Sequence, residues 1–143
     1  MTRYPSRPRR RFALTLMMST SLTLAAVSLA APAQASPEDV FFSSSYTYCD
    51  AKLISELWGI SIDNAKSQIG QKIINGIGDN VPTILAESRH AGNRCDWVDT
   101  GYAYSDAQEL SGVWGTDVDQ AKAKIAAYLT NGEKAVVDRA LGR

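Results

Sequence analysis

The chain has 143 residues, of which 15 are basic and 15 are acidic. Five of the arginines lie in the first 35 residues, so residues 36–143 carry 10 basic and 15 acidic side chains, a formal net charge of −5. Binding to nucleic acid needs a concentrated basic surface, so this balance argues against a nucleic-acid partner. A segment of this length is sufficient for one domain with a modest hydrophobic core.

The first 35 residues have the pattern of a cleaved secretory signal peptide. An arginine-rich start precedes an uncharged run from Phe12 to Ala33, and Ala33-Gln34-Ala35 is a small-x-small cleavage site. The run contains six serine or threonine side chains and Pro32, which makes it a weak membrane-spanning helix. The sequence therefore predicts cleavage after Ala35 and an exported mature protein, periplasmic or extracellular, without a stable membrane anchor.

The export route stays open between two types of signal. Arg9-Arg10-Arg11-Phe12 resembles the twin-arginine type of bacterial signal, which directs export after folding. Arginine-rich starts are also common in ordinary secretory signals.

Cys49 and Cys95 are the only cysteines in the chain. In an oxidising compartment an even number of cysteines favours a disulfide, either within one chain or between two. A metal-thiolate site or a catalytic thiol is the alternative, but His90 is the single histidine and offers such sites too few partners. The sequence predicts a disulfide and neither a metal site nor a cofactor.

An internal similarity at a spacing of 56 residues is the strongest pattern in the sequence. Residues 46–76 align with residues 102–132 without a gap, and 13 of the 31 pairs are identical. The identities include Tyr-x-Tyr-x-Asp-Ala, Trp-Gly and Asp-x-Ala-Lys, and apolar residues replace one another at other positions. This pattern predicts two tandem repeats: repeat one at about 41–88 and repeat two at about 97–143, joined by a connector at 89–96.

Each repeat has the apolar spacing of three helices, with steps of three and four residues. In the first helix an aspartate lies in the first turn, the apolar face ends at Trp58 or Trp114, and a glycine follows as the stop. Ser61 and Asp117 are N-cap candidates for the second helix, and Asn-Gly ends it. The third helices are expected at about 80–88, with Asp79 as the cap, and at about 133–141. Strand structure at 40–45 stays open.

The predicted fold is therefore all-α: one domain of about six helices built from two three-helix repeats. A unit of this size does not bury its apolar face alone, so we expect the repeats to pack together through their second and third helices. The disulfide would tie the start of repeat one to the connector.

Several paired residues are expected to have structural roles. We expect Trp58 and Trp114 to fill the core. In each Tyr-x-Tyr pair we expect one ring to point inward and the other to be half-exposed. Asp63 with Lys66, and their counterparts Asp119 with Lys122, have the spacing of ion pairs on one helix face.

Most of the residues that have no counterpart in the other repeat lie in or next to the connector. It contains the only histidine, two arginines and, directly after it, an aromatic residue. Loops on a rigid scaffold often carry binding function, although a polar connector is also common for solvation alone. If it binds a ligand, we expect Arg89, His90, Arg94 and Trp97 to do so.

The sequence contains no recognisable catalytic constellation. There is no Gly-x-Ser-x-Gly motif and no phosphate-binding glycine loop, so we expect no enzymatic activity. The leading hypothesis is a binding module whose partner is an envelope protein or a cell-wall component. A stress chaperone that responds to acid and a small cell-wall hydrolase using Glu87, Asp96 or His90 are the alternatives.

Overall fold

The computed structural model describes residues 34–143, and the predicted leader up to Ala33 lies outside them. The described residues form seven α-helices and two 3-10 turns, with no strand among them. The all-α prediction is confirmed for this part of the chain. The helices are α1 Pro37–Ser43, α2 Tyr48–Trp58, α3 Ile62–Ile74, α4 Val81–His90, α5 Tyr104–Trp114, α6 Val118–Thr130 and α7 Lys134–Ala140.

Helix α1 is the helix that the sequence analysis did not predict, and it accounts for the count of seven rather than six. Pro37 occupies the first turn, where a missing amide hydrogen costs nothing. Ser36 caps the helix: its hydroxyl accepts the Asp39 N–H at 3.2 Å, and the Asp39 carboxylate accepts the Ser36 N–H at 3.2 Å. The open strand alternative at 40–45 is therefore wrong, because a capping box starts a helix there.

Helices α2 and α5 have the same length, 11 residues, and their bounds differ by 56 positions. The carboxylate of Asp50 accepts the Thr47 N–H at 2.7 Å, and that of Asp106 accepts the Ala103 N–H at 2.8 Å. Both helices end at a glycine in the left-handed region, with φ of 64° at Gly59. The predicted aspartates and glycine stops are confirmed.

Helices α3 and α6 also match in length, 13 residues each, at the same offset. Ser61 accepts the Asn64 N–H at 3.2 Å, and Asp117 accepts the Gln120 N–H at 2.7 Å, so both predicted N-caps are confirmed. Each helix ends at an Asn-Gly pair with the glycine at positive φ, as a helix C-terminus favours.

The third helices differ from their predicted bounds. A 3-10 turn occupies Gly78–Asn80, so α4 begins one residue later than expected and Asp79 does not cap it. At its other end α4 continues through Arg89 and His90, which places the first two residues of the predicted connector in the helix. Helix α7 is one residue shorter at each end than predicted.

The core is formed by apolar residues from all seven helices and Cys95. Leu53, Ile54, Ile69, Leu110 and Ile125 are among the largest fully buried side chains.

The expectation that the tryptophans fill the core is wrong for Trp58, which is 39% exposed. Trp114 is half-buried and packs against Tyr128, with ring centroids 5.9 Å apart. Position 72 corresponds to position 128, and there Lys72 instead places its ammonium 5.9 Å from the Trp58 ring centroid. A flexible cation covers less of an indole ring than an aromatic side chain does, which leaves Trp58 more exposed.

The Cys49–Cys95 disulfide is present within the chain, with the two Cα atoms 5.6 Å apart. It joins the first turn of α2 to the end of the connector. The main helix contact between the two halves of the chain is α2 with α6, rather than a contact between second and third helices as expected. The disulfide explains the difference, because it holds the chain that leads into α5 and α6 against α2.

Candidate functional site

A groove of about 420 Å³ lies between α6 and the end of the connector; we call it the α6 groove. One wall is chain from Arg94 to Trp97. The other is a face of α6 on which residues recur every three or four positions, the spacing of one helical stripe. The α6 residues in the groove are Asp119, Lys122, Ala123, Ala126, Ala127 and Thr130.

Three contacts fix the connector wall of this groove. The Cys95 N–H donates to the Thr130 hydroxyl oxygen at 3.0 Å, and the Cys95 side chain is held by the disulfide. Trp97 is half-buried against the core and begins a 3-10 turn, Trp97–Asp99. The groove is therefore bounded by a rigid loop and a rigid helix, which is the arrangement that binding sites need.

The α6 groove has an apolar floor and a balanced set of charges at its edges. Ala123, Ala126 and Ala127 supply the floor. Lys122 pairs with Asp119 at 3.1 Å, and its ammonium also lies 4.9 Å from the centroid of the exposed Tyr104 ring. Arg94 is exposed and makes no salt bridge with a described residue. Such a lining can hold an apolar group while pairing with charged or polar groups around it.

On the corresponding face of α3, helix α1 packs at Gly70. Gly70 is the counterpart of Ala126, and a Cβ built at Gly70 would overlap the carbonyl oxygen of Pro37. The Ser67 hydroxyl donates to the Glu38 carboxylate at 3.2 Å, which fixes the first turn of α1 on this face. Helix α1 therefore covers α3 at Gly70, whereas the next residue, Gln71, is exposed and lines cavities of about 420 and 400 Å³ at the edges of α1.

The structure brings together only two of the four predicted site residues. Arg94 and Trp97 line the α6 groove. Arg89 lies in α4, where its Nε–H donates to the Thr130 carbonyl, and it lines a different cavity. His90 is exposed at the last residue of α4. Glu87 and Asp96, suggested for hydrolysis, are both exposed.

Another cavity, of about 410 Å³, is lined by Asp50 and Arg89; we call it the Asp50 cavity. Asp50 is only 7% exposed, and its burial raises the pKa of the carboxyl above the ordinary value, against the hydrogen bonds from Thr47 and the positive charge of Arg89, which lower it. Tyr46 is a third polar group on the lining, and its hydroxyl lies 3.4 Å from the Gly78 carbonyl oxygen. The other lining residues are Ser45, Pro82, Leu85, Asn131 and Gly132.

The expected roles of the paired tyrosines and ion pairs are confirmed. Tyr46 and Tyr102 pack against the core, whereas Tyr48 is 43% exposed and Tyr104 is 55% exposed. Lys66 pairs with Asp63 at 2.9 Å and lies 4.9 Å from the Tyr48 ring centroid, the same distance as in the Lys122–Tyr104 contact.

The α6 side of the groove and the Asp50 cavity could not be predicted from the sequence. The alanines recur with a helical spacing that sequence alone does not distinguish from a core stripe. Asp50 is not among the predicted site residues, because an equivalent aspartate, Asp106, in the second half of the chain favours a structural role for both. The two aspartates nevertheless have different partners, as described below.

No protein-family model, no curated protein and no solved structure matches this chain. Within residues 34–143, none of the helices combines the length and the apolar character needed to cross a membrane.

Proposed function

We propose that this protein is an exported, non-enzymatic binding module, and that the α6 groove binds a segment of an envelope protein. The observation that carries the proposal is the contrast between two equivalent helix positions: α1 packs its backbone on α3 at Gly70, whereas Ala126 of α6 lines a groove whose other wall is the end of the connector. An open apolar face next to charged residues is typical of an interaction site.

We also propose that the two halves are tandem repeats, as the 13 identities indicate. Hydrogen bonds that recur at the same offset support this. The Ser44 hydroxyl donates to the Phe41 carbonyl at 2.6 Å, and the Thr100 hydroxyl donates to the Trp97 carbonyl at 2.7 Å. If the halves are repeats, the segment that packs on a surface of one half indicates which kind of segment could bind the equivalent surface of the other half.

The packing of α1 on α3 therefore favours a short protein segment resembling α1 as the occupant of the α6 groove. Helix α1 presents Pro37 to the α3 face and carries Glu38 and Asp39 in its first turn. Two cations, Arg94 and Lys122, and two carboxylates, Asp96 and Asp119, line the α6 groove, and Lys122 is already paired with Asp119. Arg94 is therefore the cation that would pair with an acidic side chain of the segment. Ala126 replaces Gly70, so the incoming backbone would lie further from the helix than Pro37 does.

The export part of the proposal rests on the leader pattern and on the disulfide. The disulfide is compatible with an oxidising compartment. A periplasmic or secreted location follows from the predicted cleavage after Ala35, and sequencing the N-terminus of the mature protein would test it.

The binding proposal is tested by chemical crosslinking of the tagged full chain in its native envelope. Three versions are compared: wild type, Ala127→Glu in the α6 groove, and Gln71→Glu at the counterpart position on α3. Both replaced residues are exposed, so neither change should disturb the fold.

We expect a reproducible crosslinked protein in the wild type and in Gln71→Glu, and its loss in Ala127→Glu. A synthetic peptide from the crosslinked segment should then bind the purified protein, and Arg94→Glu should weaken this binding. A cell-wall fragment in place of a protein, or equal crosslinking in all three versions, would contradict the proposal.

A further inference from the structure

Asp50 and Asp106 occupy equivalent positions in α2 and α5 but have different partners. In both, oxygen Oδ2 accepts the backbone N–H at the helix start, at 2.7 Å and 2.8 Å. In Asp106 the second oxygen, Oδ1, binds the guanidinium of Arg143 at 2.5 Å. No described residue donates to Oδ1 of Asp50, whose hydrogen bonds from Thr47 both end on Oδ2.

The free oxygen of Asp50 belongs to a residue that is more than nine-tenths buried and lines the Asp50 cavity. Solvent reaches this oxygen from the cavity, since Thr116 Oγ1 is the only fully buried side-chain polar atom without a partner among the described residues. A ligand group in the cavity would take the place of that solvent, as the guanidinium of Arg143 does at Asp106. At Asp50 the cavity leaves room for a cationic group that does not come from the described part of the chain.

Arg89 determines what else such a ligand must carry. Its Nε–H donates to the Thr130 carbonyl, and its Nη2 atom faces Gly132, where an added Cβ would lie 3.2 Å away. The described residues accept no hydrogen bond from its Nη atoms, so these donors are left for a ligand. A lone cation at Asp50 would be repelled by Arg89, whereas a ligand with its own carboxylate would pair with both residues.

We propose that the Asp50 cavity binds a small zwitterion of the amino-acid class, with its cationic group on Asp50 and its carboxylate on Arg89. The side chains of Leu85 and Pro82 provide an apolar surface for the ligand's carbon chain. The volume, about 410 Å³, falls within the usual range for small-molecule sites, about 300–1,000 Å³. The Arg143–Asp106 pair makes arginine the first probe to use.

The test is isothermal titration of the purified mature protein with L-arginine and with agmatine, which keeps the guanidinium but lacks the carboxylate. We expect saturable binding of L-arginine and at least about tenfold weaker binding of agmatine. No saturable binding of L-arginine up to about 10 mM would overturn the proposal. Equal binding of the two compounds would remove the role assigned to Arg89.

Two variants test whether arginine binds in the Asp50 cavity, and a third variant is the matched control. Asp50→Asn keeps an oxygen for the Thr47 N–H but loses the charge, and it should weaken arginine binding at least about tenfold. Ser45→Trp leaves Asp50 in place and blocks the cavity from an exposed position on its lining, and it should abolish binding. Asp106→Asn should leave the affinity unchanged. Unchanged affinity in Asp50→Asn, with the fold retained by circular dichroism, would overturn the proposal.

Binding at this cavity is independent of the partner proposed for the α6 groove. Ala127→Glu should leave arginine binding unchanged. Loss of the crosslinked partner with retained arginine binding would therefore concern the groove alone, and the reverse result would concern the cavity alone.

Discussion

The faces of α3 and α6 that carry Gly70 and Ala126 start from similar sequences and end in different surroundings. On α3, helix α1 lies so close that a Cβ at Gly70 would overlap the Pro37 carbonyl oxygen. On α6, the chain that corresponds to α1 is the end of the connector, which is held by a disulfide and leaves a groove of about 420 Å³. Two helices of similar sequence therefore differ in the segment that packs on them, which is helix α1 on α3 and the end of the connector on α6.

Two local differences account for this contrast. Glycine at position 70 permits close backbone approach, whereas the methyl group of Ala126 occupies that space. The first half also has a Ser-Pro start that nucleates α1, and the second half has Gly92 and Asn93 at the corresponding positions. The disulfide fixes Cys95 to α2, so the connector follows an extended path along α6 rather than forming a helix on it.

Removing the disulfide should have the largest effect on this contrast. We expect Cys49→Ala with Cys95→Ala to reduce the free energy of unfolding by about 3–4 kcal/mol, because the bond closes a long loop. Denaturant unfolding measures this loss, and hydrogen exchange should show faster exchange in residues 91–99 than in α1. Equal loss of protection in both regions would mean that the disulfide does not hold the groove wall specifically.

The close approach of α1 to α3 is tested by Gly70→Ala. We expect a loss of about 2 kcal/mol or more, because the added methyl group meets backbone atoms that cannot move independently.

The reciprocal variant, Ala126→Gly, is the matched control. It adds no atom, and it should cost about 1–2 kcal/mol, the sum of the helix-propensity difference and the loss of a methyl group that is buried in the wild type. Denaturant unfolding of both variants gives the comparison. A cost for Gly70→Ala no greater than that for Ala126→Gly would show that α1 does not depend on the glycine.

A smaller effect is expected at Gly112 in α5. No heavy atom lies within 4 Å of a Cβ built there, and the backbone is helical. Gly112→Ala should therefore raise the free energy of unfolding by up to about 1 kcal/mol. Its counterpart, Glu56, already pairs with Lys52 at 3.0 Å in α2. A thermal melt that shows a lower Tm for Gly112→Ala would indicate a packing contact on this exposed face.

The smallest expected effect is a dependence of stability on pH at Asp50. Burial raises the pKa of Asp50 in the folded protein, despite the hydrogen bonds from Thr47 and the charge of Arg89. The folded state therefore holds this proton more tightly than the unfolded state, and acidification from neutral pH toward pH 4 should favour folding through this group. Asp50→Asn should lack this gain.

The effect of Asp138 on the pH dependence of stability has the opposite sign to that of Asp50 and falls in a lower pH range. Its burial alone would raise the pKa, but hydrogen bonds from Lys134 and Tyr102 outweigh burial and lower the pKa below the ordinary value of 3.8. The stabilising contribution of Asp138 is lost only as the pH falls below that value, so it does not overlap with the effect of Asp50.

Denaturant unfolding of wild type and Asp50→Asn at several pH values measures the effect of Asp50. The difference in unfolding free energy between the two should grow in favour of wild type between pH 7 and pH 4. A constant difference would contradict the prediction.

Local sequence signals were sufficient for the helices that recur at the offset of 56. Capping residues, glycine stops and apolar spacing depend on neighbours within one turn, so α2, α3, α5 and α6 could be predicted closely. Helix α1 was missed because its main contacts are with α3, and its seven residues show no clear period. The exposure of Trp58 likewise depends on Lys72, a residue far along the chain.

The candidate site was less predictable, because it too depends on contacts between residues that are distant in the sequence. Arg94 and Trp97 were found because the connector concentrates unusual residues, but Arg89 and His90 separated from them once α4 extended past Ser88. Asp50 was not predicted as a site residue, because an aspartate that occurs at equivalent positions in both halves suggests a shared structural role. Its difference from Asp106 arises from Arg143, which contacts only one of the two.

The most direct test of the proposed binding surface is photo-crosslinking from two equivalent positions. A photoreactive amino acid is introduced at Ala127 in one version of the full chain and at Gln71 in another, and both are expressed in the native host. Mass spectrometry then identifies the crosslinked residue of any partner. We predict that position 127 crosslinks to a defined segment of one envelope protein and that position 71 does not. Crosslinks from both positions to the same segment, or from neither, would contradict a binding site in the α6 groove.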